Sequence, residues 1–166
     1  MSQFRVEKRR AEAQLTLSTG ARLRGSFFLA ASTATKVGPE RVGDLLNTEA
    51  GFFPFAPSGG SAEDTVVVNR AHVVSVKLLE HLAEARKEPG YEVATERHVE
   101  MVLSDGTRLT GSIRAFFPVG HDRLSDYVRA PEMFRYLECA DATFIINAAH
   151  IVEMKERRRG NDEGTE

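Results

Sequence analysis

Apolar residues alternate with polar ones along two stretches of this chain, and each stretch has a turn at its centre. Ala13, Leu15 and Leu17 mark one predicted strand, Thr19-Gly20 a turn, and Leu23, Gly25, Phe27 and Leu29 a second strand. The pattern returns at Val99, Met101 and Leu103. There Asp105-Gly106, a strong hairpin dipeptide, leads into Leu109, Gly111, Ile113 and Ala115. Gly25 and Gly111 sit mid-strand at inward-pointing positions, where glycine marks a bulge or a sharp bend of a small sheet. The apolar runs 66–68 and 144–146 predict short buried strands. The segments 69–72 and 147–150 turn them into closing strands whose Val74 and Val76, or Val152 and Met154, face the core.

Between these blocks the alternation weakens. VGDLLN, from Val42, predicts one helical turn, while GFFPF, from Gly51, is interrupted by Pro54 and predicts an irregular strand or loop packing Phe52 and Phe55 inward. Phe134 and Leu137 hold those places later in the chain. LLEHLAEARKE predicts a short helix that Pro89-Gly90 stops, and residues 156–166 are charged, without hydrophobes, and predicted to be disordered.

The two stretches are copies. Leu17, Ser18, Gly20, Arg22, Leu23, Gly25 and Ser26 recur as Leu103, Ser104, Gly106, Arg108, Leu109, Gly111 and Ser112. Arg41, Asp44 and Phe52 recur as Arg123, Asp126 and Phe134, and Asn69, His72 and Lys77 recur as Asn147, His150 and Lys155. Ordered blocks of this kind indicate an internal duplication in which each copy is one structural unit. The expected organisation is a first repeat over 13–77, a linker over 78–97, a second repeat over 98–155 and a tail over 156–166. Each copy is near the size at which a lone core is only marginally stable, so the copies are expected to pack on each other or on other subunits.

Composition narrows the class. A chain of 166 residues with 42% hydrophobic and 28% charged residues reads as soluble and globular. No stretch approaches the roughly 20 apolar residues that span a bilayer, and the N-terminus has charge without an apolar segment behind it, so no membrane and a cytoplasmic location are expected. The single Cys139 permits no internal disulfide and supplies no metal-ligand pair; beside Leu137 and Ala140 it reads as a small buried hydrophobe.

The string VEMVLSDGTRLTGSIRAF, followed by TFIINAAHIVEM, resembles the two sequence blocks of the Sm-like fold, and is similar in particular to the Hfq family of bacterial host-factor RNA chaperones. The resemblance covers both ends of each copy, more clearly in the second. It implies a mainly β protein of two tandem Sm-like or SH3-like small barrels, each a strongly bent five-stranded sheet. In that fold the fourth strand of one barrel pairs with the fifth of the next. Such pairing between the two halves would leave one edge of each half open to another chain. The middle of each copy departs from the family, with an RxxD segment in place of its RNA-reading loop, so the family's RNA contacts are not carried over. Tandem copies bearing RxxD also look like an uncharacterised bacterial domain family, a likeness that implies no activity.

Candidate chemistry is sparse. His72 and His150 recur, yet each copy supplies one histidine without a cysteine or acidic ligand at metal spacing, so a turn or interface role is the simpler reading. Arg41 with Asp44, and Arg123 with Asp126, would meet an anion or, more simply, pair with each other and cap a helical turn. No phosphate loop and no nucleophile elbow occur. Arg22, Arg24 and Phe28 share the outer face of one predicted strand, and Arg108, Arg114 and Phe116 that of its counterpart. Arginine beside aromatic rings suits RNA or an acidic protein, although the net charge of −2 adds no general attraction for a polyanion. The expectation is a non-catalytic protein-interaction or assembly module without cofactor or bound metal, forming a homo-oligomer, most simply a dimer, or binding a protein partner. RNA binding through the arginine faces is the alternative. An enzyme with a site around His72 and His150 at a pseudo-twofold interface ranks last.

Overall fold

The computed structural model of the chain describes residues 8–30, 40–48, 51–79, 90–115 and 124–157. Within them the first half runs β1 (Lys8–Leu17), β2 (Arg22–Ala30), α1 (Val42–Thr48), β3 (Phe52–Pro57), β4 (Val66–Asn69) and β5 (Val73–Leu78). The second half repeats that order as β6 (Thr95–Leu103), β7 (Arg108–Ala115), α2 (Leu124–Val128), β8 (Phe134–Glu138), β9 (Thr143–Asn147) and β10 (Ile151–Glu156). The expected linker helix does not start at Leu78, which closes β5; the rest of that helix beyond Leu79 and most of the charged tail lie outside the described residues.

The protein is mainly β. Ten strands among the described residues form one antiparallel sheet in the order β10-β6-β7-β8-β9-β5-β1-β2-β3-β4. The sheet is not closed, and its ends are β10 and β4. Each half keeps the same internal order, fifth-first-second-third-fourth, and the halves join where β5 meets β9 through Ser75↔Ile146, Val76↔Ile145 and Lys77↔Phe144. This junction sets a fifth strand against a fourth. It is head-to-tail, so the two halves do not meet about a pseudo-twofold axis.

The hairpins form where the turn residues demand. Gly20 and Gly106 adopt φ of +87° and +84°, a region that side chains disfavour, at the tips of β1-β2 and β6-β7. Gly25 and Gly111 serve close approach. A Cβ on Gly25 would lie 2.1 Å from the Ala56 carbonyl oxygen of β3, and one on Gly111 2.6 Å from that of Glu138 in β8. The third strand of each half therefore lies against the second at its glycine more closely than a side chain would allow.

Two cores result, and each borrows from the other half. Leu15, Phe27, Leu29, Leu46, Phe53 and Phe55 fill the first, together with Phe134 and Ile145 of the second half. Phe27 stacks on Phe53 and meets Phe55 edge-on, with ring centroids 5.3 Å apart in both cases. Val99, Met101, Leu103, Ile113, Leu137 and Ile146 fill the second core, together with Val74 of the first half.

Several expectations need correction. GFFPF is a regular strand, part of β3, paired on both sides; Pro54 lies just beyond the end of the β2 pairing, where a missing N–H is tolerated. Phe53 and Phe55 point inward, while Phe52 is exposed. Val66 and Val67 are exposed although their run reads as buried, and Val152 faces solvent rather than the core. Val66, Val67 and Val152 lie on the two end strands, β4 and β10, and Phe52 lies opposite Asn69 of β4, at ends of the sheet that no further strand among the described residues covers. The strands β1 and β6 also begin earlier than the alternation suggests, at Lys8 and Thr95.

Candidate interaction surfaces

The recurring polar residues gather at the junction. Asn147 is fully buried there; its side-chain oxygen accepts from the Ala149 N–H at 3.0 Å, and its Nδ2 donates to the Val73 carbonyl at 3.0 Å. His150 Nδ1 lies 2.8 Å from the Ser104 hydroxyl and its Nε2 2.9 Å from the Ala71 carbonyl in the other half. A carbonyl only accepts, so Nε2 carries a proton, and in the neutral ring Nδ1 accepts from the Ser104 hydroxyl. On the neighbouring face α1 lies against β8. Asn47 bonds both main-chain groups of Phe134, at 2.9 Å each, in the manner of one more strand residue. Gly43 donates to the Tyr136 hydroxyl at 3.1 Å, and Arg41 lies over the Tyr136 ring.

The first-half twins of these groups hold the same local geometry at a free edge. Asn69 accepts from the Ala71 N–H at 3.0 Å, and Ser18 meets His72 Nδ1 at 2.8 Å. With β4 ending the sheet, no described strand stands opposite them as β5 stands opposite Asn147.

The apolar residues show the same division. Ile145 and Phe134 are 0% and 2% exposed, while their twins Val67 and Phe52 are 67% and 59% exposed. Val74 and Leu46 are both fully buried, while their twins Val152 and Val128 are 66% and 52% exposed. Phe52 and Val67 lie at the β4 end of the sheet, Val128 and Val152 in the second half with the β10 end. Place relative to the junction, rather than residue type, separates each buried residue from its exposed twin.

Arg41 and Asp44 face each other. The guanidinium donates to both carboxylate oxygens, at 2.9 and 3.0 Å, and the Arg41 N–H adds a third bond at 3.1 Å that caps α1. Asp126 is half-buried at the matching place in α2; Arg123 lies outside the described residues. Arg22 and Arg24 are exposed on β2, and Phe28 is half-buried beneath Arg10, 5.1 Å from its ring centroid. Arg108 is exposed, 3.5 Å from Glu100. Arg114 is drawn into a cluster, 4.2 Å over the Tyr91 ring, 3.1 Å from its hydroxyl, and within 4 Å of Glu96 and Glu138. The structure thus keeps Arg22, Arg24 and Arg108 at the surface and ties Arg114 down; Phe116 lies outside the described residues.

A cleft of about 410 Å³ opens beside the junction, bordered by Asp44, Asn47, Arg114, Tyr127, Tyr136 and Glu138. There Asp44 pairs with Arg41, and Glu138 with Arg114 and the Tyr91 hydroxyl. Burial pushes the Tyr127 hydroxyl up to about 12, against the opposing charge of Arg135, whose guanidinium lies 4.8 Å over its ring. Burial, with a smaller contribution from Asp141, pushes the Cys139 thiol up to about 11, the environment of an inert rather than a nucleophilic cysteine. Among the described residues no group of three or more His, Cys, Asp or Glu is placed to hold a metal ion, and no helix is long and apolar enough to cross a membrane.

Sequence reasoning singled out Asn147 and His150 through their recurrence, but it missed Phe52, Val67, Val128 and Val152 as a set. Their signal lay in comparing twin positions, and it needed the strand order to be read. Compared with protein-family models, with curated proteins and with solved structures, the chain shows no match.

Proposed function

We propose that this chain is a non-catalytic assembly module of two tandem Sm-like small barrels, working through the two open edges of its sheet. The repeated strand order and the close approach of the neighbouring strand at Gly25 and Gly111 support the barrel reading, since a small sheet bends most sharply where a glycine removes the side chain. The observation that carries the functional reading is the exposure of Phe52, Val67, Val128 and Val152, whose twins are buried at the junction. Exposed apolar side chains beside unpaired main-chain groups favour the addition of a strand from another protein. RNA is the alternative partner, favoured by the exposed Arg22 and Arg24 on one face of β2.

The test is to place a photo-cross-linking residue at position 67, 152, 22 or 108 of the full chain in the cells that make it. Protein adducts at 67 and 152, and none at 22 or 108, are the expected result. RNA adducts at 22 and 108 with none at the edges would replace this reading by the alternative, and no adduct at either edge would end it.

A further inference from the structure

Resting on the edge-pairing reading, we propose that the occupant of both edges is a second copy of this chain, joined head to tail. In this arrangement β10 of one copy lies antiparallel against β4 of the next. The internal junction dictates the register. Ser75, Val76 and Lys77 have Glu153, Met154 and Lys155 as twins, while Ile146, Ile145 and Phe144 have Val68, Val67 and Val66. The pairs Ser75↔Ile146, Val76↔Ile145 and Lys77↔Phe144 therefore become Glu153↔Val68, Met154↔Val67 and Lys155↔Val66 between copies.

Each edge carries what the other lacks. Ile145 and Phe134 belong to the first core although they come from the second half, so Val67 and Phe52 would enter the second core of the neighbouring copy, where Met154 is only partly covered. Val74 belongs to the second core, so Val152 would enter the first core of the copy on its other side. The polar groups are ready as well. Asn69 and His72 are already held by Ala71 and Ser18 in the conformations of Asn147 and His150. Their remaining donors, Asn69 Nδ2 and His72 Nε2, would meet the Ile151 and Ala149 carbonyls of the next copy, as Asn147 and His150 meet Val73 and Ala71. Pairing β4 with another β4 would instead set these donors against each other.

Two departures weaken the contact relative to the internal junction. Glu153 stands where the junction buries Ser75, and Arg129 stands where Asn47 both donates to and accepts from Phe134. Assembly is therefore concentration-dependent, and Glu153→Ser strengthens it. Because the two edges differ, the contact is heterologous and joins copies into a closed ring or a filament.

Light scattering of the full chain tests this. The wild type is expected above the single-chain mass of 18.4 kDa. Val67→Glu and Val152→Glu each block one edge and are each expected to be monomeric, whereas an equimolar mixture of the two restores a dimer through the one intact junction. Both positions are exposed in the single chain, so an unchanged melting temperature at low concentration shows that the variants fold. Independently, Val67→Cys with Met154→Cys in a Cys139→Ser background is expected to yield a disulfide-linked ladder on a non-reducing gel. Either single-edge variant remaining oligomeric, or no ladder from the paired cysteines, overturns the register. A monomeric wild type whose adducts at 67 and 152 are to a different protein overturns the second-copy partner and leaves the edge-pairing reading standing; no adducts at all ends both.

Discussion

His150 reaches across the junction between the two halves, its Nε2 2.9 Å from the Ala71 carbonyl, while the hydroxyl of Ser104 fixes its other ring nitrogen at 2.8 Å. Its twin His72 keeps the serine contact at an open edge. The pair allows an internal control. A hydrogen bond of this kind is worth about 1 kcal/mol net, so His150→Ala is expected to lower stability by about that amount. His72→Ala is expected to cost less in dilute protein. Denaturant titrations of the two variants, side by side, check the difference.

Asn147 gives a larger effect. It is fully buried and its amide serves three main-chain groups, so Asn147→Ala leaves the Val73 carbonyl, the more distant Arg70 carbonyl and the Ala149 N–H without it. A loss of about 2–3 kcal/mol is expected in chemical unfolding. Asn69→Ala, which removes the local bond to Ala71 alone, is expected to cost less than half of that. Equal losses would mean that the junction contact contributes nothing.

The two close-approach glycines should tolerate nothing larger. Gly111→Val is expected to cost more than about 1 kcal/mol, the range of strained backbone sites, and Gly25→Val more still, because the carbonyl it would meet is nearer. Thermal unfolding at matched concentration measures both. An unchanged melting temperature for Gly25→Val would show that β3 does not approach β2 so closely there.

Alkaline pH tests the burial of Tyr127. Its hydroxyl titrates near 12 in the fold and near 10 in the unfolded chain, so the folded state disfavours the phenolate. The stability this represents is present below pH 10 and is lost as pH rises towards 12. The Cys139 thiol, at about 11 in the fold and 9.0 unfolded, adds a loss that starts lower. Tyr127→Phe is expected to remove the upper part of the decline. At pH 7 the variant should be no less stable than the wild type, because the hydroxyl meets no hydrogen-bond partner among the described residues. Denaturant midpoints from pH 7 to 12 for both proteins give the comparison.

Much of the local structure is written in short-range pattern. Both hairpins, the helical turn after Arg41, the 69–72 and 147–150 turns and the mid-strand glycines are all legible, because turn chemistry and the two-residue period of a strand act over a few neighbours. Phe52 marks where this fails. Its own segment resembles that of Phe134, and nothing within several residues of either shows that one is buried and the other exposed. The same holds for Val67 beside Ile145 and for Val152 beside Val74. Arg114 illustrates a second kind of failure: alternation puts it outward, correctly, but its capture by Tyr91, Glu96 and Glu138 joins three separate segments.

What the amino-acid sequence determined by itself is the unit: two diverged copies, their strands and turns, the apolar faces, and the recurring asparagine and histidine. What only the tertiary structure decided is how the units meet. β5 pairs with β9, so one copy of each twin pair is covered and the other is left at an end of the sheet. Burial at a strand edge depends on which strand comes next, a relation between residues about 70 positions apart, and repeats that share a pattern carry no local mark of which edge the chain itself will fill.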